Sequence, residues 1–518
     1  MQLCNSATLQ LILGVDVGTT GTKSVLFDLA GNELYSASRP TALSHPQATW
    51  TEVDMVTVWE TTAETIQEIY TKHPEYANQT VAIGVTAQGD GTWLVDADLN
   101  PVRTAISWLD GRTADLIREW QQSGISEQIF QINNTAINTS NQAGHIRWLQ
   151  EHDPESLSNA VAALRCKDWI FAKLTGRIST DESDASYTYF SAQDRIYADE
   201  IFELLEITQW EHLIPMAHPS YENRWELRPV IGEKLGLRGG IPVVAGPLDV
   251  VASNLGVGSI QVGDACTILG SAGIHQIVID QPQPEPLNVG YTICHAPSDR
   301  LLRVFPTMTG TLNLQWFVDQ FYAAEQADAI AEGHNVWDTL EPLAAAIPVG
   351  CEGLMYLPYI DAAGERAPFV RPEARAQFSG LSTQHTRAHM LRAIYEGVAF
   401  SAADCYAHLS SPVESLKLAG GGAQSDLWAQ IFADALDCPV SVMAGSEFGC
   451  KGAAINAGVA VGLYSSFEDA VQQTVRPGKS YLPNSQNTRL YQELVSLYRQ
   501  RYEAMFLIWE ARDFIYDF

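Results

Sequence analysis

The feature that most constrains the fold is a pattern that occurs twice: an apolar strand, a glycine-rich turn and a second apolar strand. The first copy runs from Leu11 to Phe27, where LILGVDV and SVLFDL flank GTTGTK. The second runs from about Thr267 to Asp280, where ACTILG and IHQIVID flank SAG. A tight turn between paired strands is the simplest structure for each, because glycine tolerates the backbone angles that hairpin turns require. The recurrence points to a duplicated unit, although two unrelated hairpins would leave the same trace.

Between and after these hairpins the chain alternates strand-like and helix-like segments, which is α/β wiring. Asp54 to Tyr70 reads as a helix with Val58, Ile66, Ile69 and Tyr70 on its apolar side, followed by a strand over Thr80 to Thr86. Thr386 to His408 and Ser425 to Leu436 read as long amphipathic helices, the second opened by Ser425-Asp426 as an N-cap. With 518 residues, 46% of them hydrophobic, the chain can bury more than one core. No low-complexity linker divides it, so the boundary is placed at the glycines Gly256 to Gly258, giving domains 1–256 and 257–518.

The formal net charge of -30 sets the sign of the surface field, which disfavours nucleic acid and anionic membrane as partners. A nucleotide remains compatible, because a magnesium ion and converging backbone N–H groups supply local positive potential. The eight cysteines (Cys4, Cys166, Cys266, Cys294, Cys351, Cys405, Cys438 and Cys450) form no CxxC pair or metal-like cluster and read as reduced thiols. The first basic residue is Lys23, and the apolar run Leu9 to Val15 is too short to span a bilayer, so a cytoplasmic location is expected.

Four constellations carry chemistry. Asp16-Val17-Gly18-Thr19-Thr20-Gly21-Thr22-Lys23 places a carboxylate at a strand end before a glycine turn rich in hydroxyl and ammonium donors, suited to phosphate and a hydrated metal. Gly270-Ser271-Ala272-Gly273 stands at the matching point of the second copy. Gly420-Gly421-Gly422 ends an apolar strand before the helix capped by Ser425, where a backbone without Cβ atoms admits a flat or anionic ligand. Asp249, after Gly246-Pro247-Leu248, heads an apolar helix-like segment and could accept the proton of an alcohol. Each has a plainer reading: ordinary Gly/Thr turns, a packing-driven strand-to-helix turn, and an N-cap for Asp249. No Walker A is present, since Cys450 stands before Lys451.

In this order, and together with Trp108-Leu109-Asp110, Leu174-Thr175-Gly176, Thr180-Asp181, Gly364-Glu365-Arg366-Ala367-Pro368 and Lys451-Gly452-Ala453-Ala454, the segments resemble the FGGY family of carbohydrate kinases over nearly the whole chain. The resemblance implies two actin-like, ribonuclease-H-like α/β domains with ATP and sugar meeting in an interdomain cleft. It implies Asp16 as the Mg²⁺ residue and Asp249 as the general base. Gly18, Thr19, Thr20, Lys23, Gly270 and Ser271 go to phosphate, and Gly421, Gly422 and Ser425 to the adenosine side. It also allows a homodimer. Two departures stand out: Ala272 replaces a hydroxyl of the second phosphate turn, and His145 replaces the lysine usual before an apolar-x-Trp-Leu run.

Substrate identity is expected in Gln88-Gly89-Asp90-Gly91-Thr92-Trp93, with Gln88, Asp90 and Trp93 as binding residues. A carboxylate at Asp90 would accept a polyol's hydroxyl hydrogens, and Gly89 frees space beside it, whereas the alternative is an Asp90 that only caps the turn. The QGDGTW wording is most similar to the erythritol kinases of the family, so phosphorylation of a terminal hydroxyl of a small sugar alcohol is the expectation. A pentulose kinase acting on xylulose or ribulose, or an actin-like ATPase coupled to protein partners, are the alternatives.

Overall fold

The computed structural model of the protein describes residues 9–516, and in it both glycine-turn repeats are antiparallel hairpins. Cys4 lies outside the described residues; the other seven cysteines are free and buried. The chain divides first near the expected glycines, at Ile260, but then crosses back twice. One unit comprises residues up to Ile260 together with Ile279–Leu302 and Glu447–Val475, and the other comprises Gln261–Val278, Arg303–Ser446 and the chain from Arg476 on.

In the first unit, β1 (Leu11–Val17) pairs with β2 (Gly21–Asp28) in the register Asp16↔Lys23, and β2 continues antiparallel to β3 (Glu33–Pro40). Helix α1 (Met55–Lys72) follows, two residues longer at its end than the periodicity predicts. It starts where it does because Asp54 accepts the Val56 and Thr57 N–H groups, and it buries Val58, Ile66, Ile69 and Tyr70 as expected. Strand β4 (Thr80–Ala87) then runs parallel to β1. Next come helices α2 (Gln142–His152), α3 (Cys166–Thr175) and the short α4 (Glu182–Ala185). The edge pair β5 (Arg224–Glu226) and β6 (Pro242–Ala245) completes the sheet, with β6 parallel to β4, and α5 (Asp249–Gly256) leaves it. The sheet order is β5-β6-β4-β1-β2-β3.

The second unit repeats that plan. Strands β7 (Asp264–Leu269) and β8 (Gly273–Ile279) form the hairpin, and β9 (Leu301–Thr307) lies beside β8. Helices α6 (Thr311–Phe321) and α7 (Arg387–Ala407) precede β10 (Ser415–Ala419), which runs parallel to β7. Helix α8 (Asp426–Leu436) leads to β11 (Val440–Met443), parallel to β10, and β12 (Pro477–Tyr481) closes the edge antiparallel to it. Each sheet therefore has a hairpin, two parallel strands and an antiparallel edge in the same spatial order, although the edge strand precedes its neighbour along the chain in the first sheet and follows it in the second. The repeat read from two six-residue patterns is a repeat of whole sheets.

The late helix Phe448–Ala460 belongs to the first unit and packs on β1, β4 and α5. Glycine makes that contact possible. A Cβ at Gly14 would lie 2.1 Å from Cys450 O, one at Gly84 2.1 Å from Ala453 O, and one at Gly256 2.0 Å from Phe448 O. No side chain fits at such distances, so the helix backbone rests directly on the sheet.

Candidate active site

Strand β1 is buried except at the half-buried Asp16 and ends at the loop Gly18-Thr19-Thr20-Gly21, closed by a 3.0 Å bond from Gly18 N–H to Gly21 O. Asp16 sits one residue before the strand ends. Burial pushes its carboxyl up to about 6 against the pull of Lys23, with Glu447 adding to the rise. Its Oδ1 accepts no hydrogen bond among the described residues. Its Oδ2 lies 2.2 Å from where a Cβ on Gly449 would stand, so the late helix reaches the acid only because residue 449 has no side chain. A buried carboxylate with an unengaged oxygen suits a hard cation, which takes oxygen donors.

Of the other loop residues, Thr19 is tied inward. Its Oγ1 donates to Gln88 Oε1 at 3.0 Å and receives the Trp108 indole N–H at 2.8 Å. Lys23, expected at phosphate, pairs with Glu447 at 2.8 Å. Gln88 is further fixed by its own N–H, which donates to Val17 O at 2.9 Å. The phosphate loop and the expected substrate loop are thus joined by the chain Trp108–Thr19–Gln88, and Trp108 is a member that sequence reading noted only as a signature.

The remaining substrate-loop expectations are corrected by the geometry. Asp90 is 3% exposed and adopts φ 58°; its Oδ2 receives the Asn141 side-chain N–H at 3.0 Å and its Oδ1 the Gln142 N–H at 3.2 Å. It serves the N-terminus of α2, where a carboxylate is favoured, and its partners lie some fifty positions along the chain, outside the reach of a local pattern. Trp93 is a core residue, buried in a short strand opposite Leu164. The substitution at His145 is also explained: its Nδ1 meets Thr92 Oγ1 at 3.1 Å, its Nε2 meets Thr139 O at 3.0 Å, and burial lowers it to about 4, so it stands there neutral.

Asp249 is the first residue of α5, half-buried, with Leu248 in the cap position, so the N-cap alternative does not describe it. Its Oδ1 accepts the Val250 N–H at 2.7 Å. Burial first, then the charge of Asp16 and further that of Asp184, push its carboxyl up to about 8. A carboxyl tuned into that range is matched to proton transfer near neutral pH.

In the second unit, the carbonyls of Gly270 and Ser271 accept the N–H groups of Thr311 and Leu312 at the start of α6, at 2.8 and 3.3 Å. A Cβ on Gly310 would stand 2.5 Å from both carbonyl oxygens. Gly420, at φ 88°, turns β10 towards α8, and Ser425 caps that helix by accepting the Trp428 N–H at 3.0 Å. Gly421, Gly422 and Ser425 line a groove of about 880 Å³ with Trp337, Glu341 and Tyr395. Flat aromatic walls and a glycine floor suit a planar ring.

Residues 11–256 match the N-terminal domain of the FGGY family of carbohydrate kinases, and residues 261–461 match its C-terminal domain. The erythritol kinase of Brucella abortus (strain 2308) is 32% identical over 508 residues, covering 96% of this chain and 97% of that protein. The L-xylulose/3-keto-L-gulonate kinase of Escherichia coli (strain K12) is 30% identical over 512 residues, covering 96% and 97%. The structure of ligand-bound xylulose kinase from Lactobacillus acidophilus matches with a TM-score of 0.86 at 25% identity, covering 96% of this chain and 98% of that one. Two glycine-turn sheets, a groove for a planar ring and a pair of tuned acids thus stand in a chain matched over nearly its full length, and it belongs to the FGGY family of carbohydrate kinases.

Proposed function

We propose that the chain transfers the γ-phosphoryl group of ATP to a terminal hydroxyl of a small sugar alcohol, with erythritol, giving erythritol 4-phosphate, as the preferred acceptor. The observation that carries the chemistry is the pair Asp16 and Asp249: two acids in one unit, each raised by burial, and the second raised further by the first. In this reading Asp249 is the base. Its Oδ1 is taken by Val250, so the acceptor hydroxyl's proton passes to Oδ2 as the new O–P bond forms and ADP departs. Asp16 would hold a magnesium ion, whose chemistry there would be to offset negative charge on the transferring phosphate. Gly18, Thr20, Gly270 and Ser271 contact phosphate, and Gly421 and Gly422 face the adenosine. The work takes place in the cytoplasm, where ATP is available; among the described residues no helix is long and apolar enough to cross a membrane.

Two things support a small polyol. One is the likeness to a relative named erythritol kinase. The other is Gly89, where a Cβ would come within 3.0 Å of Leu248, so the substrate loop closes against the residue preceding the base and favours a compact acceptor. One observation favours a ketose such as xylulose or ribulose instead. With Asp90 bonded to the start of α2, a further polar side chain of the loop is Gln88, 5% exposed and bonded through Oε1 to Thr19, and an amide N–H suits a carbonyl oxygen as well as a hydroxyl. Membership of a kinase family sets aside the protein-coupled ATPase. ADP release measured over erythritol, glycerol, xylitol, ribitol, D- and L-xylulose and ribulose tests the reading. Erythritol is expected to give the highest kcat/KM, and a ketose in first place overturns the polyol assignment while leaving the kinase chemistry intact.

A further inference from the structure

The turn that delivers Asp249 is held by two hydroxyls from distant parts of the chain. Thr86, near the end of β4, donates its Oγ1 hydrogen to Pro247 O at 2.6 Å, across 161 positions of sequence. The Leu248 N–H donates to Ser183 Oγ at 2.9 Å, across 65 positions. Both hydroxyls are buried, Thr86 at 0% and Ser183 at 2% exposure. Leu248 is the N-cap of α5, so its N–H has no partner within the helix.

Charge sets the direction of the Ser183 bond. Ser183 has a single hydroxyl proton, and Asp181 Oδ2 receives it at 2.6 Å while also accepting the Ser183 N–H at 2.9 Å. The lone pairs of Ser183 Oγ are then left for Leu248. Asp181 in turn pairs with Lys167, whose Nζ lies 3.1 Å from Asp181 Oδ1, 3.1 Å from Asp184 Oδ2 and 2.7 Å from Asp168 Oδ1. Lys167 is fully buried, and the three carboxylates outweigh the burial that would otherwise discharge it. A lysine sealed among three aspartates near a helix start adds little net stability by itself, because desolvation offsets most of the attraction. It does fix which way the hydrogen bonds run.

We propose that Ser183 and Thr86 are positioning residues for the base, clamping the Gly246–Leu248 turn while Lys167 and Asp181 fix the polarity of the clamp. The inference rests on Asp249 being the base. Its consequence follows from the Val250 bond: the carboxylate is tied to the first turn of α5, so any rotation of that turn carries the acid with it. An error of about 1 Å at a reacting group costs on the order of 10²-fold in rate.

The test uses the full chain, with ATP and acceptor varied separately in steady state. S183A is expected to lower kcat by about 10²-fold with both KM values within about threefold of the parent, the mark of an interaction that matters in the transition state. S183T, which keeps the hydroxyl, is expected to recover to within about tenfold of the parent, a rescue that a role in packing alone would not give. T86V and T86S repeat the comparison at the other hydroxyl, and they decide the matter in the same way if S183A gives no folded protein. A parent-like kcat in S183A, or an S183T as slow as S183A, overturns the clamp. D249N is run alongside: full turnover there removes the base reading itself, whereas an inactive D249N beside a parent-like S183A removes only the clamp.

Discussion

The two sheets share a topology and differ at one equivalent position. Two residues before the first glycine turn stands Asp16, paired across its hairpin with Lys23; two residues before the second stands Ile268, paired with Ile274. The turns differ in the same sense. In the first, a threonine hydroxyl is drawn into the chain from Trp108 to Gln88, and in the second, two carbonyls are used to start a helix. On one scaffold, then, the first unit sets an acid at the strand end and the second an apolar residue, so the difference lies at strand ends while the strands stayed alike.

That contrast can be broken most severely at the acids of the first unit. D249N is expected to lower kcat by about 10³-fold in the acceptor-dependent ADP assay while calorimetric ATP affinity stays within about twofold. G449A should come next: the added methyl would overlap Asp16 Oδ2, and kcat is expected to fall by about 10²-fold, with a melting temperature lowered by several degrees. In the second unit the effects should move from kcat to binding. G422A places a methyl 2.8 Å from the Trp428 ring and 2.9 Å from Leu269 Cβ, and is expected to raise the KM for ATP about tenfold, or about 1.4 kcal/mol, with kcat little changed.

A buried acid of the second unit, Glu365, sharpens the comparison. Glu365 Oε1 accepts the N–H groups of Met308, Arg366 and Ala367, yet burial still pushes its carboxyl up to about 7 from an ordinary 4.5. The folded state therefore keeps a proton that the unfolded chain has already released, so this stabilisation is present at low pH and is lost as pH rises from 4.5 through 7, by an amount on the order of 3 kcal/mol. E365Q should remove that loss, giving denaturant midpoints that hold above pH 7, with kcat and both KM values near the parent. A collapse of kcat in E365Q would place a reactive acid in the second unit and end the contrast. The smallest effect is expected for S271A, about a threefold rise in the KM for ATP, consistent with one exposed hydroxyl.

What the sequence showed in advance was local. Both hairpins, the helix from Asp54, the Ser425 cap, and Asp16 and Asp249 as notable acids could be read because strand period, glycine turns and capping residues act within a few positions. Asp90 and Trp93 were misplaced for the opposite reason. The helix start that occupies Asp90 is built from Asn141 and Gln142, and the strand that buries Trp93 from Leu164, neither of which leaves a mark in QGDGTW. Ser183 lay just past the Thr180-Asp181 signature without standing out, since a serine between Glu182 and Asp184 looks like any solvated turn until Lys167 and Leu248 are brought to it.

The helix Phe448–Ala460 has one more consequence, and it concerns synthesis. The first unit's sheet is finished at Ala245, yet the surface formed by Ile12, Phe27, Ala82, Val244 and Leu255 is covered by Cys450, Ala454, Ile455 and Ala457, encoded some two hundred codons later. A nascent chain emerging from the ribosome must therefore carry that apolar face uncovered through the translation of the whole second unit, making it a natural client for chaperones during that interval.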